Sequence, residues 1–348
     1  MSGAESHRIR YLRGSAQAHH PARPSLVLVH GFGGNADHWR RNIADLTRRG
    51  FNVYAVDLLG FGKSDKPSPD PTKPNEVYRF DTWGLLLADF LHGVVGGPAH
   101  LVCNSIGGIV GLRCAEVLHG EWDEAAAAEG RSPWATTGSA AEAADRPAGS
   151  PDRHPRAGAE GRPGRVLSVQ LLDVSLRMLH VDNQVPLVRP LIAAFQRFLR
   201  ENPAVGAAFF GRVATASAVR AVLREAYGDP SQVTDELVDI ILTPGLDPRA
   251  APVFLDFISY SSGPLPGECL KECPPEVPTV LLWGEKDPWE LAKWGRELFA
   301  KHACEGGTEG GTVAAFVALP GVGHCPMCEA PELVNPLVAE WALRLGGG

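Results

Sequence analysis

The chain has 348 residues, 44% hydrophobic and 21% charged, with a formal net charge of −7. That composition fits an enzyme-sized globular chain with a sizeable core and excludes a disordered one. No basic stripe points to nucleic acid, and no apolar run approaches the roughly 20 residues that span a bilayer.

The N-terminus, Met1-Ser2-Gly3-Ala4-Glu5-Ser6-His7, carries no apolar signal region and no long Arg/Ser-rich transit stretch. Ser25-Leu26-Val27-Leu28-Val29 is the first continuous apolar run and ends at His30-Gly31. Val53-Tyr54-Ala55-Val56 ends at Asp57-Leu58-Leu59-Gly60, and Ala99-His100-Leu101-Val102-Cys103 ends at Asn104-Ser105. Short apolar runs that stop at turns, with helix-length segments between them, predict parallel strands buried on both faces. Asp81 to Val94 reads as one such helix, with Leu85, Leu86, Phe90 and Leu91 at helical spacing. From about 120 to 164 the pattern breaks into Ala, Gly, Pro and charged residues, which read as a mobile surface insertion.

Val166 to Leu172 resumes the strand pattern. Apolar positions then predict helices around Ile192–Leu199, Val219–Leu223, Leu237–Leu242 and Phe254–Ile258. Strand signals return at Thr279–Trp283 and Val313–Leu319, and a terminal helix is expected from about Pro331 to Leu345. A helical block inside a doubly wound sheet acts naturally as a lid over the carboxyl ends of the strands. The expected division is a core over 1–178, a helical lid over 179–265 and the rest of the core over 266–348.

Four strand ends carry the chemistry. Cys103-Asn104-Ser105-Ile106-Gly107 has the strand–Ser–helix layout of a nucleophile elbow, with Gly107 two residues after the serine. Cys103 stands where that motif usually has glycine; it is small, so the elbow is expected to persist with tighter packing. His30-Gly31-Phe32-Gly33-Gly34 offers a backbone N–H at Phe32 which, with that of Ile106, would form an oxyanion hole. His30 itself reads as structural. Trp283-Gly284-Glu285-Lys286-Asp287 delivers an acid at a strand end, in the chain position that follows the serine and precedes the histidine. Glu285 and Glu290 are nearby rivals, and Asp173, after the 166–172 strand, is the more serious one. His324, in Gly321-Val322-Gly323-His324-Cys325-Pro326, follows the last strand and can reach back to Ser105. Ser105, Asp287 and His324 thus stand in the order of a Ser–Asp–His triad on an α/β-hydrolase fold, a mostly parallel doubly wound sheet with an inserted lid.

These segments resemble the α/β-hydrolases of plants, algae and cyanobacteria that include pheophytinase and chlorophyll dephytylase. The resemblance lies in Asn104-Ser105-Ile106-Gly107-Gly108, in Asp287-Pro288-Trp289 with Trp294-Gly295, and in Gly323-His324-Cys325-Pro326 followed by Glu329 to Asn335. Tyr227-Gly228-Asp229 and Val233 to Val238 are also similar. It covers most of the chain outside the insertion. It implies a triad of Ser105, Asp287 and His324, no cofactor, and hydrolysis of the phytyl ester of a chlorophyll-type pigment in the chloroplast.

The seven cysteines are odd in number in a large chain, which favours a reducing compartment over a disulfide scaffold. Cys325-Pro326-Met327-Cys328 has no second ligand pair at metal spacing, so no metal is expected there. Cys269 and Cys273 fall in a Pro-rich linker. Trp39, Trp289 and Trp294 are candidates for either pocket wall or core, and Phe209-Phe210 for either a ligand or the sheet domain. The expected partner is a small apolar ester. A general carboxylesterase, a carbon–carbon bond hydrolase, an acyltransferase and a non-catalytic small-ligand receptor share these residues as alternatives.

Overall fold

The computed structural model describes residues 7–14, 20–70, 72–119, 164–178, 180–304 and 312–345. The expected insertion lies outside them, apart from Gly164. The strands are β1 Tyr11–Arg13, β2 Ser25–Val29, β3 Asn52–Val56, β4 Ala99–Asn104, β5 Val166–Leu172, β6 Thr279–Gly284 and β7 Val313–Leu319. They form one sheet in the order β1-β3-β2-β4-β5-β6-β7. All pairs are parallel except β1 with β3. The chain is an α/β-hydrolase fold. β1 escaped sequence reading because three half-buried edge residues carry no apolar run.

Side-chain alternation along the strands divides the core in two. Val27, Val29, Leu101, Cys103, Leu281 and Trp283 face one layer, which the helices Phe80–Phe90 and Ile106–His119 help to cover. Leu26, Leu28, Val102, Val280 and Leu282 face the other, covered in part by Arg40–Arg48 and Pro331–Leu345. A sheet buried on both sides needs apolar residues at every position, which is why these strands read as unbroken runs. The helix expected at 81–94 is Phe80–Phe90 continued by a wider turn at Leu91–Val95.

The helical block comprises Arg189–Glu201, Pro203–Val213, Ala216–Ala226, Asp235–Gly245 and Ala250–Ile258. Pro203–Val213 was not foreseen as a separate helix. The presumed linker around Cys269 is the helix Pro266–Glu272, where Pro266 stands in the first turn, a position that tolerates a missing N–H. Cys269 and Cys273 are buried in the first core layer.

The strand order reverses at β2. The chain passes from β2 to β3 on one side and returns to β4 on the other, leaving the carboxyl ends of β2 and β4 side by side. Ligands bind at such a crevice in open α/β sheets.

The unusual Cys103 is accommodated by the helix that follows it. A Cβ placed on Gly111 would lie 2.6 Å from Cys103 Sγ but 3.7 Å from Cys103 Cβ. Gly111→Ala should therefore destabilise the chain by about 1–3 kcal/mol through overpacking. In a Cys103→Ala background the same change should be neutral or stabilising, because alanine is the better helix former. Urea unfolding of the four-member cycle measures this coupling.

Candidate active site

Ser105 lies between the end of β4 and the helix Ile106–His119, with φ +55, a left-handed conformation costly for a residue with a side chain. Backbone bonds hold it there: Ser105 N–H donates to Leu172 O at 3.0 Å, and Gly108 N–H donates to Ser105 O at 2.9 Å. The neighbouring loop must come close. A Cβ on Gly31 would sit 2.9 Å from Ser105 Cβ, so only glycine lets the chain after β2 pass the serine.

Ser105 Oγ and His324 Nε2 are 3.0 Å apart, and His324 Nδ1 is 2.7 Å from Asp287 Oδ2. The other oxygen, Oδ1, accepts from the N–H groups of Trp289 at 2.8 Å and Glu290 at 3.0 Å. A carboxylate only accepts, so the imidazole carries its proton on Nδ1 and presents a bare Nε2 to the serine hydroxyl. The three residues predicted from separate strand ends meet in one hydrogen-bonded line. A second Ser–His contact, His100 Nδ1 to Ser168 Oγ at 2.8 Å, is fully buried between β4 and β5, so solvent cannot reach it.

Two supports of the His324 loop were not read from the sequence. Asn104 Nδ2 donates to both Leu172 O and His324 O, stapling the loop to the elbow. The buried Glu329 carboxylate accepts from the N–H groups of Gly323, Gly228 and Asp229. His30 is a scaffold: Nε2 accepts from Leu58 N–H at 3.0 Å and Nδ1 bonds Gly31 O at 2.7 Å. Both His30 contacts hold the glycine loop in place.

Carboxyls crowd the imidazole. Asp173 is fully buried at φ +44, and its Oδ1 accepts from Gly284 N–H at 2.8 Å. Burial, and then the facing Asp287 charge, push its pKa well above the carboxylate range. Asp287, not Asp173, is the carboxyl that meets His324. Glu285 is exposed, within 3.7 Å of Arg296. Glu290 Oε1 accepts from Ser175 Oγ and Leu176 N–H, while Oε2 is buried without a partner among the described residues. Burial raises Glu290 to about 7.

A cavity of about 470 Å³ opens above this line. Ser105, Ile106, Phe32 and His324 line it, with a mainly apolar wall from the helical block. Outside the helix ladders, neither the Phe32 nor the Ile106 N–H is taken by a backbone acceptor among the described residues. The Phe32 ring stacks on Phe257 at 5.1 Å, tying the glycine loop to the helix Ala250–Ile258. Trp289 lines the cavity and packs edge-on to His324 at 5.0 Å, whereas Trp39 is core and Trp294 stands outside. Of the Phe209-Phe210 pair, Phe210 lines the cavity. Cys325 lines it too, and Arg40 reaches Cys328 Sγ at 3.6 Å. Arg177 clamps the end of the helical block by donating to the carbonyls of Tyr260, Ser262 and Pro264.

Residues 26–337 match the model of the alpha/beta hydrolase family. The chain belongs to that family. It is 24% identical over 356 aligned positions to the chloroplastic pheophytinase of Arabidopsis thaliana, covering 93% of this chain and 62% of that one. A 2-hydroxy-6-oxo-6-(2'-aminophenyl)hexa-2,4-dienoic acid hydrolase of Metapseudomonas resinovorans is 35% identical over 100 residues, 28% of this chain and 31% of that one. The chain thus spans less than two thirds of the length of these curated relatives. Among solved structures, a putative lipase from Acinetobacter baumannii AYE superposes with a TM-score of 0.59 at 18% identity, covering 97% of this chain and 88% of that one.

The raised Glu290 carboxyl has a measurable consequence. It keeps its proton up to about pH 7 when folded but releases it near its ordinary 4.5 when unfolded. Between those values the folded state binds the extra proton, so stability falls as pH rises, by on the order of 3 kcal/mol. Glu290→Gln should flatten that decline when urea unfolding is compared at acid and alkaline pH. An unchanged slope would show that Glu290 ionises normally.

Proposed function

We propose that this chain is a serine-dependent carboxylic ester hydrolase acting on apolar substrates. Ser105 is its nucleophile, His324 its general base and Asp287 the acid that orients the imidazole. The observation that carries the reading is the line from Ser105 Oγ through His324 to Asp287, at 3.0 and 2.7 Å, beneath an apolar cavity. His324 Nε2 takes the Ser105 proton as Oγ attacks the carbonyl. The N–H groups of Phe32 and Ile106 receive the oxyanion, and His324 returns the proton to the departing alcohol. Water, activated by the same imidazole, then releases the acyl group. None of these steps calls on a cofactor.

The helices between β5 and β6 form the lid in this reading, with residues 179–265 closing over a core made of 1–178 and 266–348. The favoured substrate is the phytyl ester of a chlorophyll-type pigment. Likeness to pheophytinase along 93% of the chain, together with the apolar cavity wall, supports it, and a chloroplast location goes with it. The shorter match to the dienoic acid hydrolase favours a second reading, cleavage of a carbon–carbon bond by the same residues.

Ser105→Ala should abolish ester turnover and labelling by a fluorophosphonate; activity that persists would refute the assignment. Asp287→Asn should lower kcat by about 10⁴-fold by removing the acceptor that fixes the tautomer. Asp173→Asn, which copies a neutral carboxyl, should change kcat less than about tenfold; the reverse ranking would make Asp173 the acid. Incubation with pheophytin and with p-nitrophenyl esters of rising chain length tests the substrate. Phytol release is expected, and turnover of short esters alone would leave a general esterase.

A further inference from the structure

Fourteen large hydrophobic side chains are exposed among the described residues, and nine of them fall between Met178 and Val205. Leu187, just before the helix Arg189–Glu201, and Leu191, Phe195 and Phe198 within it recur at helical spacing and form one outward stripe, 50 to 89% exposed. The remaining sides of the helix are committed to the protein. Leu199 is buried, Gln196 Nε2 donates to Ile258 O at 2.8 Å, and Arg200 donates to Ser259 Oγ at 2.9 Å. A surface helix ordinarily turns its polar face to water; here the outward face is the apolar one.

The charge around the stripe names its partner. Residues 185–213 hold four arginines and one acid, Glu201; Arg200 is turned to the protein beside Ser259 and the buried Asp256, and Arg189, Arg197 and Arg212 leave a surplus of two positive charges in a chain of net −7. Among the described residues none of the four makes a salt bridge to a carboxylate. Asp182, the nearest further acid in sequence, is 3.6 Å from His180. A second copy of the chain seated on this face would set arginine against arginine, whereas an anionic lipid surface would neutralise them. No single helix among the described residues is long and apolar enough to cross a membrane, though the bent pair Pro203–Val213 and Ala216–Ala226 is by length and composition; the exposed stripe, of about three turns, suits a helix lying in the interface. The stripe also leads to the cavity. Met178 is 61% exposed and lines the cavity, and Phe195 touches Phe209, next to the cavity-lining Phe210.

We propose that the face carrying Leu187, Leu191, Phe195 and Phe198 docks into the surface of an anionic phospholipid bilayer. A membrane-dissolved ester would then pass from lipid to cavity without crossing water. That delivery role rests on the hydrolase reading above; the binding does not.

Co-sedimentation of the full chain with vesicles of phosphatidylcholine and phosphatidylglycerol tests it. Binding is expected, weaker in high salt and on phosphatidylcholine alone. The double variant Leu191→Glu, Phe198→Glu should bind at least about tenfold more weakly. It should still hydrolyse a water-soluble short-chain ester, which reports an intact fold. Leu191→Ala, too mild to unfold an exposed position, should weaken binding by a few-fold. Failure of the natural chain to bind, or equal binding by the variants, overturns the proposal. So does a dimer in solution that the same substitutions dissolve. Vesicle binding without ester turnover in any form would support the docking face and refute the hydrolase reading alone.

Discussion

A single imidazole ties together segments that the chain keeps far apart. His324 bonds Asp287, 37 residues away, and Ser105, 219 residues away, and its backbone carbonyl accepts from Asn104. That convergence requires β4 and β6 to lie in one sheet, with β5 between them, and the loops after β4, β6 and β7 to open on the same edge. Parallel pairing supplies both conditions, because it brings the carboxyl ends of successive strands to one side. The strained Ser105 backbone and the glycine passage at Gly31 are local consequences of holding the hydroxyl at that edge.

Electrostatics around the imidazole follow from burial. Three carboxyls, Asp173, Asp287 and Glu290, share a region with little water, and only one of them bonds His324. Asp287 takes two backbone N–H groups in addition to the imidazole. Asp173 has one backbone donor and a buried second oxygen, and among the described residues Glu290 likewise keeps one oxygen without a partner. Their raised pKa values relieve the repulsion that three charges would create.

The helical block combines two surfaces. Its inner side lines the apolar cavity that Ser105 also lines, and its outer side leaves Leu191 and Phe198 exposed. The same helix spacing serves both, since residues three and four apart form stripes that can face either way. Phe195 meets Phe209, next to the cavity-lining Phe210, and so joins the exposed stripe to the cavity wall.

The strands β2 to β6 were legible because a sheet covered on both faces writes itself as apolar runs ended by turns, and the half-buried edge strand β7 was legible from its apolar run alone. Ser105, Asp287 and His324 were legible as candidates because each follows such a run. The edge strand β1 and the clamps made by Asn104, Glu329 and Arg177 were not, since each depends on partners distant in sequence; the helix Pro266–Glu272, whose signals are local, was hidden among flanking prolines. The sequence by itself determined the alternation of strands and helices and the order in which reactive side chains appear. Tertiary structure alone decided which acid reaches the imidazole, how Gly111 makes room for Cys103, and which stripe of the helix Arg189–Glu201 faces water. The physical reason is that hydrophobic periodicity is a local property of the chain, whereas a hydrogen bond or a buried charge is settled only by what the fold brings within a few ångströms.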